Sequence, residues 1–259
     1  MKSRLLIGPA FAASIVGGSA FGADLPYKAP PLVEPVFTWT GFYVGAQIGG
    51  AWAKSDWTYQ NINPYDSLGP AGPITGSANS FSMSALAGGV QFGFNYQINR
   101  LVLGVEGSWT ATGLSQTNPN VVQVFAPFST QTVKTEITDY ATVTGRFGVL
   151  VDPTWLVYGK GGYAVANIET SGTTTPAVQG LNLNWNTKQW HNGWIGGGGV
   201  EHRLWKNVTL GVEYNYIQLD SAIHTGAVSG GIIGPANQIV HSVNGNIQTI
   251  MARLNILIR

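Results

Sequence analysis

From about Thr40 onward, apolar and polar side chains alternate along much of the chain with period two. The alternation is clearest over residues 86–109. Leu86, Val90, Phe92, Phe94 and Tyr96 share one parity, and Ala87, Gly89, Gln91, Gly93 and Asn95 the other. After Gln97-Ile98-Asn99-Arg100 the pattern resumes, with Leu101, Leu103, Val105 and Trp109 set against Gly104, Glu106 and Ser108. Side chains of a strand point alternately to its two faces, so this stretch predicts a hairpin of two strands of about ten residues each. Its apolar face is rich in large aromatics, while its polar face carries Gln91 and Glu106. That distribution fits lipid outside and a polar lumen inside.

The same pattern predicts strands over about Thr40–Ala53, Glu136–Val151, Trp155–Glu169, Gln189–Arg203 and Val208–Leu219. A last strand carries Ile250, Leu254, Ile256 and Ile258 opposite Arg253 and Asn255. Short turns at 97–100, Asp152-Pro153-Thr154 and Leu204–Asn207 alternate strictly with polar stretches at 54–83, 113–134, 171–188 and 220–246, which read as long loops. Eight strands with long loops on one side predict an all-β fold, an eight-stranded antiparallel up-and-down transmembrane β-barrel. Both termini then lie on the short-turn, periplasmic side of a bacterial outer membrane. Two aromatic girdles are expected: Phe42, Phe94, Tyr96 and Trp155 near the short turns, and Trp52, Trp109, Tyr163, Trp194 and Tyr216 near the long loops. A soluble barrel would have the inverse polarity, apolar inside.

Composition supports the membrane reading. Charged residues are 10% of the chain, against roughly 25% in an ordinary soluble protein, and glycine accounts for 35 of 259 residues. No internal apolar run reaches the roughly 18 residues of a spanning helix. A closed barrel hides every strand edge while exposing apolar side chains to lipid. The net charge of +1 argues against nucleic acid, and the absence of cysteine excludes disulfides and thiolate metal sites. His191, His202, His224 and His241 lack metal-ligand spacing and are expected in loops or at the membrane interface. No cofactor is implied, and no catalytic constellation is found. His191, the only plausible base for a lipid-modifying enzyme, lacks a partnered Ser and carboxylate.

The N-terminus reads as a secretory signal over residues 1–22: basic Lys2 and Arg4, an apolar stretch from Leu5 to Ala20, then the cleavage site Ala20-Phe21-Gly22. Residues 23–38 are a Pro-rich leader, expected to be extended and periplasmic. The barrel domain is expected over 39–259.

On the lumenal parity, six strands carry one ionisable residue each: Glu106, Arg146, Lys160, Glu201, Glu213 and Arg253. A lumen of eight strands is just wide enough for side chains to fill, and an unpaired buried charge is costly. These residues are therefore expected to form a neutral network that plugs the barrel, with Gln47, Gln91, Asn95, Asn215 and Asn255 filling in. The alternative is six independent charges in lumen water. Gly45, Gly49, Gly89, Gly93, Gly104, Gly148, Gly162 and Gly211 face the same way and are expected to leave unfilled volume, which favours a narrow porin passing small solutes.

The start Ala23-Asp24-Leu25-Pro26-Tyr27-Lys28-Ala29-Pro30-Pro31 and the block Trp39-Thr40-Gly41-Phe42-Tyr43-Val44-Gly45 resemble small outer-membrane β-barrel proteins of alphaproteobacteria, of the outer-membrane immunogenic or porin-family type. The resemblance implies an eight-stranded barrel like the OmpA transmembrane domain, with a structural or surface role and, in some members, pore activity. It implies outer-membrane lipid, lipopolysaccharide and the barrel-assembly machinery as partners, with long loops that could take a surface ligand. Such barrels usually end in an aromatic residue, whereas this chain ends Ile256-Leu257-Ile258-Arg259.

Overall fold

The computed structural model describes residues 37–63, 76, 78–119, 129–176, 183–227, 229 and 238–258. The signal segment, the leader up to residue 36 and Arg259 lie outside them. Every regular element described is a strand: β1 (Gly41–Asn63), β2 (Ala78–Ile98), β3 (Leu101–Pro119), β4 (Ser129–Asp152), β5 (Trp155–Pro176), β6 (Leu183–Arg203), β7 (Val208–Ala227) and β8 (Gln238–Ile258). Neighbours pair antiparallel in chain order, and β8 closes on β1, giving the up-and-down barrel that the alternation predicts. The short turns use local chemistry. Asn99 takes the left-handed conformation at φ 55°, which Asn tolerates well. The Asp152 carboxylate accepts from the Thr154 amide and hydroxyl, both at 2.6 Å, which holds its pKa below the usual carboxylate range.

The strands are 19–24 residues long, so most of the stretches expected as loops are strand. The reason is a reversal of polarity within each strand. On β1 the outward residues run Phe42, Val44, Ile48, Trp52, and then Lys54 and Asp56. The inward ones run Tyr43, Gln47, Ala51, and then Trp57 and Tyr59. β8 repeats this, with Ile258, Ile256, Leu254 and Ile250 outward before Gln248, Asn246 and Asn244, while Arg253 and Asn255 inside give way to Ile247, Val243 and Ile239. The exposed apolar belt from Phe42 to Trp52 takes ten residue steps; at about 3.3 Å each and a tilt of about 40°, it rises ~25 Å, the height of a barrel's apolar band. Beyond that belt the wall is built more like a soluble protein, with an apolar core inside and a largely polar outer face on which Trp190 and Ile223 are exposed.

Beyond the belt the wall also divides. The β2–β3 ladder stops at Ala87 and Thr112, and the β6–β7 ladder at Gly193 and Leu219. The remaining ladders run on, leaving two four-stranded sheets, β7-β8-β1-β2 and β3-β4-β5-β6. They face one another across a core that includes Trp57, Phe81, Leu114, Ile137, Ile168 and Trp185. At the short-turn end a smaller core of Trp39, Val102, Leu150, Leu156 and Tyr158 fills the mouth, with Phe37 edge-on to Trp39 at 5.5 Å.

The lumenal glycines do not leave empty space. A Cβ on Gly93 would lie 2.5 Å from the Tyr43 hydroxyl, one on Gly148 2.7 Å from Leu156 Cδ1, and one on Gly211 2.7 Å from Glu201 Cγ. On Gly89 it would meet the Trp109 carbonyl oxygen and Thr110 Cα, both backbone, whereas on outward Gly88 the nearest atom is 3.6 Å away. Gly89→Ala is therefore expected to destabilise the barrel by about 1–3 kcal/mol, and Gly88→Ala by no more than about 0.5 kcal/mol. Urea unfolding in lipid vesicles checks the pair; equal effects would show that lumen packing does not select glycine at position 89.

Candidate functional site

The six lumenal charges are brought together midway along the belt. Each strand from β3 to β8 supplies one, and their side chains are 0–3% exposed. Glu106 is the hub. Its Oε2 accepts from Tyr43 Oη at 2.6 Å, from Arg146 at 3.4 Å and from Arg253, while Oε1 accepts from Lys160 at 3.1 Å. Glu213 accepts from Lys160 at 2.8 Å, Tyr158 Oη at 2.7 Å, Asn215 at 3.0 Å and Arg253. Glu106, Lys160, Glu213 and Arg253 thus form a closed four-membered ring. Arg146 extends it to Glu201 at 2.6 Å, whose other oxygen accepts from Thr209 at 3.3 Å.

Two tyrosines of inward parity, Tyr43 and Tyr158, complete the lattice, a role that parity alone does not show. Tyr43 accepts from Arg146 at 2.7 Å while donating to Glu106. The Arg146 guanidinium also lies over the Tyr158 ring at 4.0 Å, where the ring's negative face favours a cation. Of the amides, Gln91 donates to Asn255 at 2.8 Å and Gln47 to Thr110 at 2.8 Å. Asn215 joins the charges directly, whereas Asn95 packs against Gly104.

The sequence profile of the Outer membrane protein beta-barrel domain family matches residues 35–238. The chain belongs to this family. It is 30% identical over 224 residues to the 31 kDa outer-membrane immunogenic protein of Brucella melitensis biotype 1, covering 85% of this chain and 88% of that one. With the 25 kDa outer-membrane immunogenic protein of Brucella ovis it shares 25% identity over 239 residues, 90% and 96% of the two chains. Among solved structures, the outer membrane protease OmpT from Escherichia coli aligns with 86% of this chain and 98% of its own at 8% identity; its TM-score of 0.46 carries no argument about activity. As a member of the outer-membrane β-barrel family, the protein resides in the outer membrane.

In this family setting the nine girdle aromatics all occupy the outward parity. Phe42, Tyr96, Trp155, Trp52, Trp109, Tyr163 and Trp194 are exposed, whereas Phe94 and Tyr216 are half-covered by Phe42 at 4.9 Å and Trp194 at 5.7 Å. The histidines depart from expectation. His191, His224 and His241 are fully buried between the two sheets beyond the belt, neither in loops nor against lipid. His191 and His241 keep the inward parity of their strands, but on β7 a bulge between Leu219 and Ala222 flips the parity, so period two alone would turn His224 outward; the polar context of His224 and His241 also reads as loop. His202 alone lies near a short turn, stacked on Trp155 at 4.3 Å. Among the described residues no cluster of His, Asp or Glu is arranged to hold a metal ion. His191 makes its contacts with the Asp220 carbonyl and His224, facing away from any membrane lipid.

Proposed function

We propose that this outer-membrane barrel is a non-conducting structural and surface protein, its lumen plugged by its own side chains. The observation that carries this is the lattice of three acids and three bases, nearly inaccessible, joined by Tyr43 and Tyr158. It lies between the core around Trp39 and the larger core beyond the belt. A solute would have to part all three layers. The porin alternative drew on the lumenal glycines, and the space beside them is taken by Tyr43, Asn95, Leu156, Glu201 and neighbouring backbone. An enzymatic role finds no support in His191, which is buried in the wrong direction for a lipid substrate.

In this reading, outer-membrane lipid and lipopolysaccharide surround the belt between its aromatic girdles. The barrel-assembly machinery inserts the chain, and the polar far end faces outward, where a surface ligand could bind. The Brucella relatives are named immunogenic, which suits such exposure. Planar-bilayer recording of the refolded protein beside Arg146→Ala tests the plug. The wild type is expected to be silent, and the variant, with Glu201 deprived of Arg146 and Glu106 left to Lys160 and Arg253, to show brief openings. Steady wild-type openings whose size or ion selectivity changes in the variant would instead establish a pore lined by these charges.

A further inference from the structure

The two seams beyond the belt are not equivalent. Over β2 78–86 and β3 113–119 the two strands are not paired with each other, and these stretches carry no ionisable side chain. At the β6–β7 seam, between the end of the ladder at Gly193–Leu219 and a single backbone bridge at Asn184–Ser229, side chains take the place of the ladder. His191 Nδ1 lies 3.1 Å from the Asp220 carbonyl oxygen on β7, and its Nε2 lies 2.8 Å from His224 Nε2. His224 Nδ1 is 3.3 Å from Thr170 Oγ1 on β5, which is 3.2 Å from His241 Nε2 on β8.

The tautomers follow from one end of this run. A carbonyl oxygen can only accept, so His191 carries its proton on Nδ1 and presents a lone pair at Nε2. His224 must then donate from Nε2, and as a neutral ring it accepts at Nδ1 from the Thr170 hydroxyl. The hydroxyl oxygen in turn accepts from His241 Nε2–H. All three imidazoles are neutral in this arrangement. A proton added to either ring of the His191–His224 pair forces the run to reverse and leaves an imidazolium among apolar groups. A second proton would put like charges 2.8 Å apart.

We propose that the His191–His224 pair is an acid-released clasp, which ties the two sheets together across the β6–β7 seam at neutral pH and lets the seam open in acid. The groups facing the cluster offer a cation little. Trp57 and Tyr59 on β1 lie 4.7 and 6.3 Å from the His241 ring, and Trp185 on β6 lies 5.1 Å from it. Thr170 and the Asp220 carbonyl are the polar neighbours. The charged side chains nearby lie on the outer surface, where Lys188 and Asp220 are exposed and Glu169 accepts from Asn186 at 2.8 Å. Burial, with His191 alongside, holds His224 down to about 4; burial and His224 hold His241 down to about 3. An open seam would expose these rings to water, where histidine binds a proton below about pH 6.5. Closure therefore contributes its full stability above about pH 6.5, and loses it as the pH falls towards the folded values. Each proton taken up on opening raises the open population about tenfold per pH unit across that window.

Hydrogen exchange read by mass spectrometry on the refolded protein in lipid vesicles tests this at pH 7 and pH 4, after correction for intrinsic rates. Exchange over 183–192 and 220–227 is expected to rise at least about tenfold at pH 4 and to reverse on neutralisation. The β2–β3 seam, without titratable groups, is the internal control. No rise, or an equal rise at both seams, would overturn the clasp. His224→Gln keeps an uncharged hydrogen-bonding group and removes one of the protons taken up on opening, so it is expected to reduce the rise between pH 7 and pH 4 severalfold; an undiminished response in it would also overturn the proposal. If that variant does not refold, nitrogen-15 spectra of histidine-labelled wild type decide. At pH 7 they are expected to show Nδ1–H at His191 and Nε2–H at His224 and His241, and any other pattern is incompatible with the clasp.

Discussion

Glu106→Ala is expected to lower the unfolding free energy of the refolded barrel by about 3–5 kcal/mol, the loss typical when one partner of a buried ion pair is removed. Glu106 stands between Arg146, Lys160 and Arg253, and it accepts from Tyr43 as well. Without its carboxylate, three cations in a narrow lumen share Glu201 and Glu213, and Lys160 and Arg253 both fall back on Glu213. Glu106→Gln retains an acceptor for Tyr43 but not the charge, and should fall between the wild type and alanine. Urea titration in lipid vesicles, read by tryptophan fluorescence and by heat-modifiable gel mobility, measures the change. A loss below about 1 kcal/mol, the scale of solvated ion pairs, would mean that the charges are effectively independent.

Trp57→Ala should cost a similar amount, about 3–5 kcal/mol for a large buried aromatic, but in a different part of the molecule. Trp57 is wholly buried beyond the belt, stacked on His241 at 4.7 Å and packed against Phe81 at 4.9 Å and Trp185 at 6.0 Å. It links the sheet containing β1 to the sheet containing β6. The expected result is a protein that still inserts, with cleavage by external protease confined to the region beyond the belt. Resistance equal to the wild type would show that this core does not hold the two sheets together. Loss of insertion would show that the outer and lipid-facing halves fold as one unit.

The contrast between these two substitutions follows the line along which the sequence was legible. Within the belt, parity and polarity agree. Phe42, Val44 and Ile48 mark lipid, Tyr43 and Gln47 mark lumen, and the eight strands and six lumenal charges follow from counting. Which acid meets which base does not follow, because it depends on how far each strand is staggered against the next. Tyr43 and Tyr158 were visible as inward residues, but their hydroxyls join the charges only through that stagger. Beyond Trp52 the period of two persists while its sign reverses. Lys54-Ser55-Asp56-Trp57-Thr58-Tyr59 has the composition of a polar loop, yet Trp57 and Tyr59 hold the inward parity of Tyr43. His241 is lost with the same assumption, and His224 also because the bulge after Leu219 flips the parity of β7. The glycines misled for another reason: a missing side chain reads as space in a sequence, while the fold fills that space from the facing strand.

The lattice also imposes an order on assembly. Arg253 lies on the final strand and reaches Glu213 on the preceding strand and Glu106 on β3, 147 residues earlier in the chain. Until β8 has joined the sheet, Glu106 and Glu213 have only the cations of β4 and β5 to neutralise them. A barrel that lacks its last strand therefore carries excess negative charge midway along the belt; pairing β8 with β7 brings Arg253 to Glu213, and closing it on β1, with Arg253 opposite Gln47, completes the ring to Glu106. Electroneutrality at that depth is reached only with the last strand in place, so the lattice penalises a barrel that lacks it.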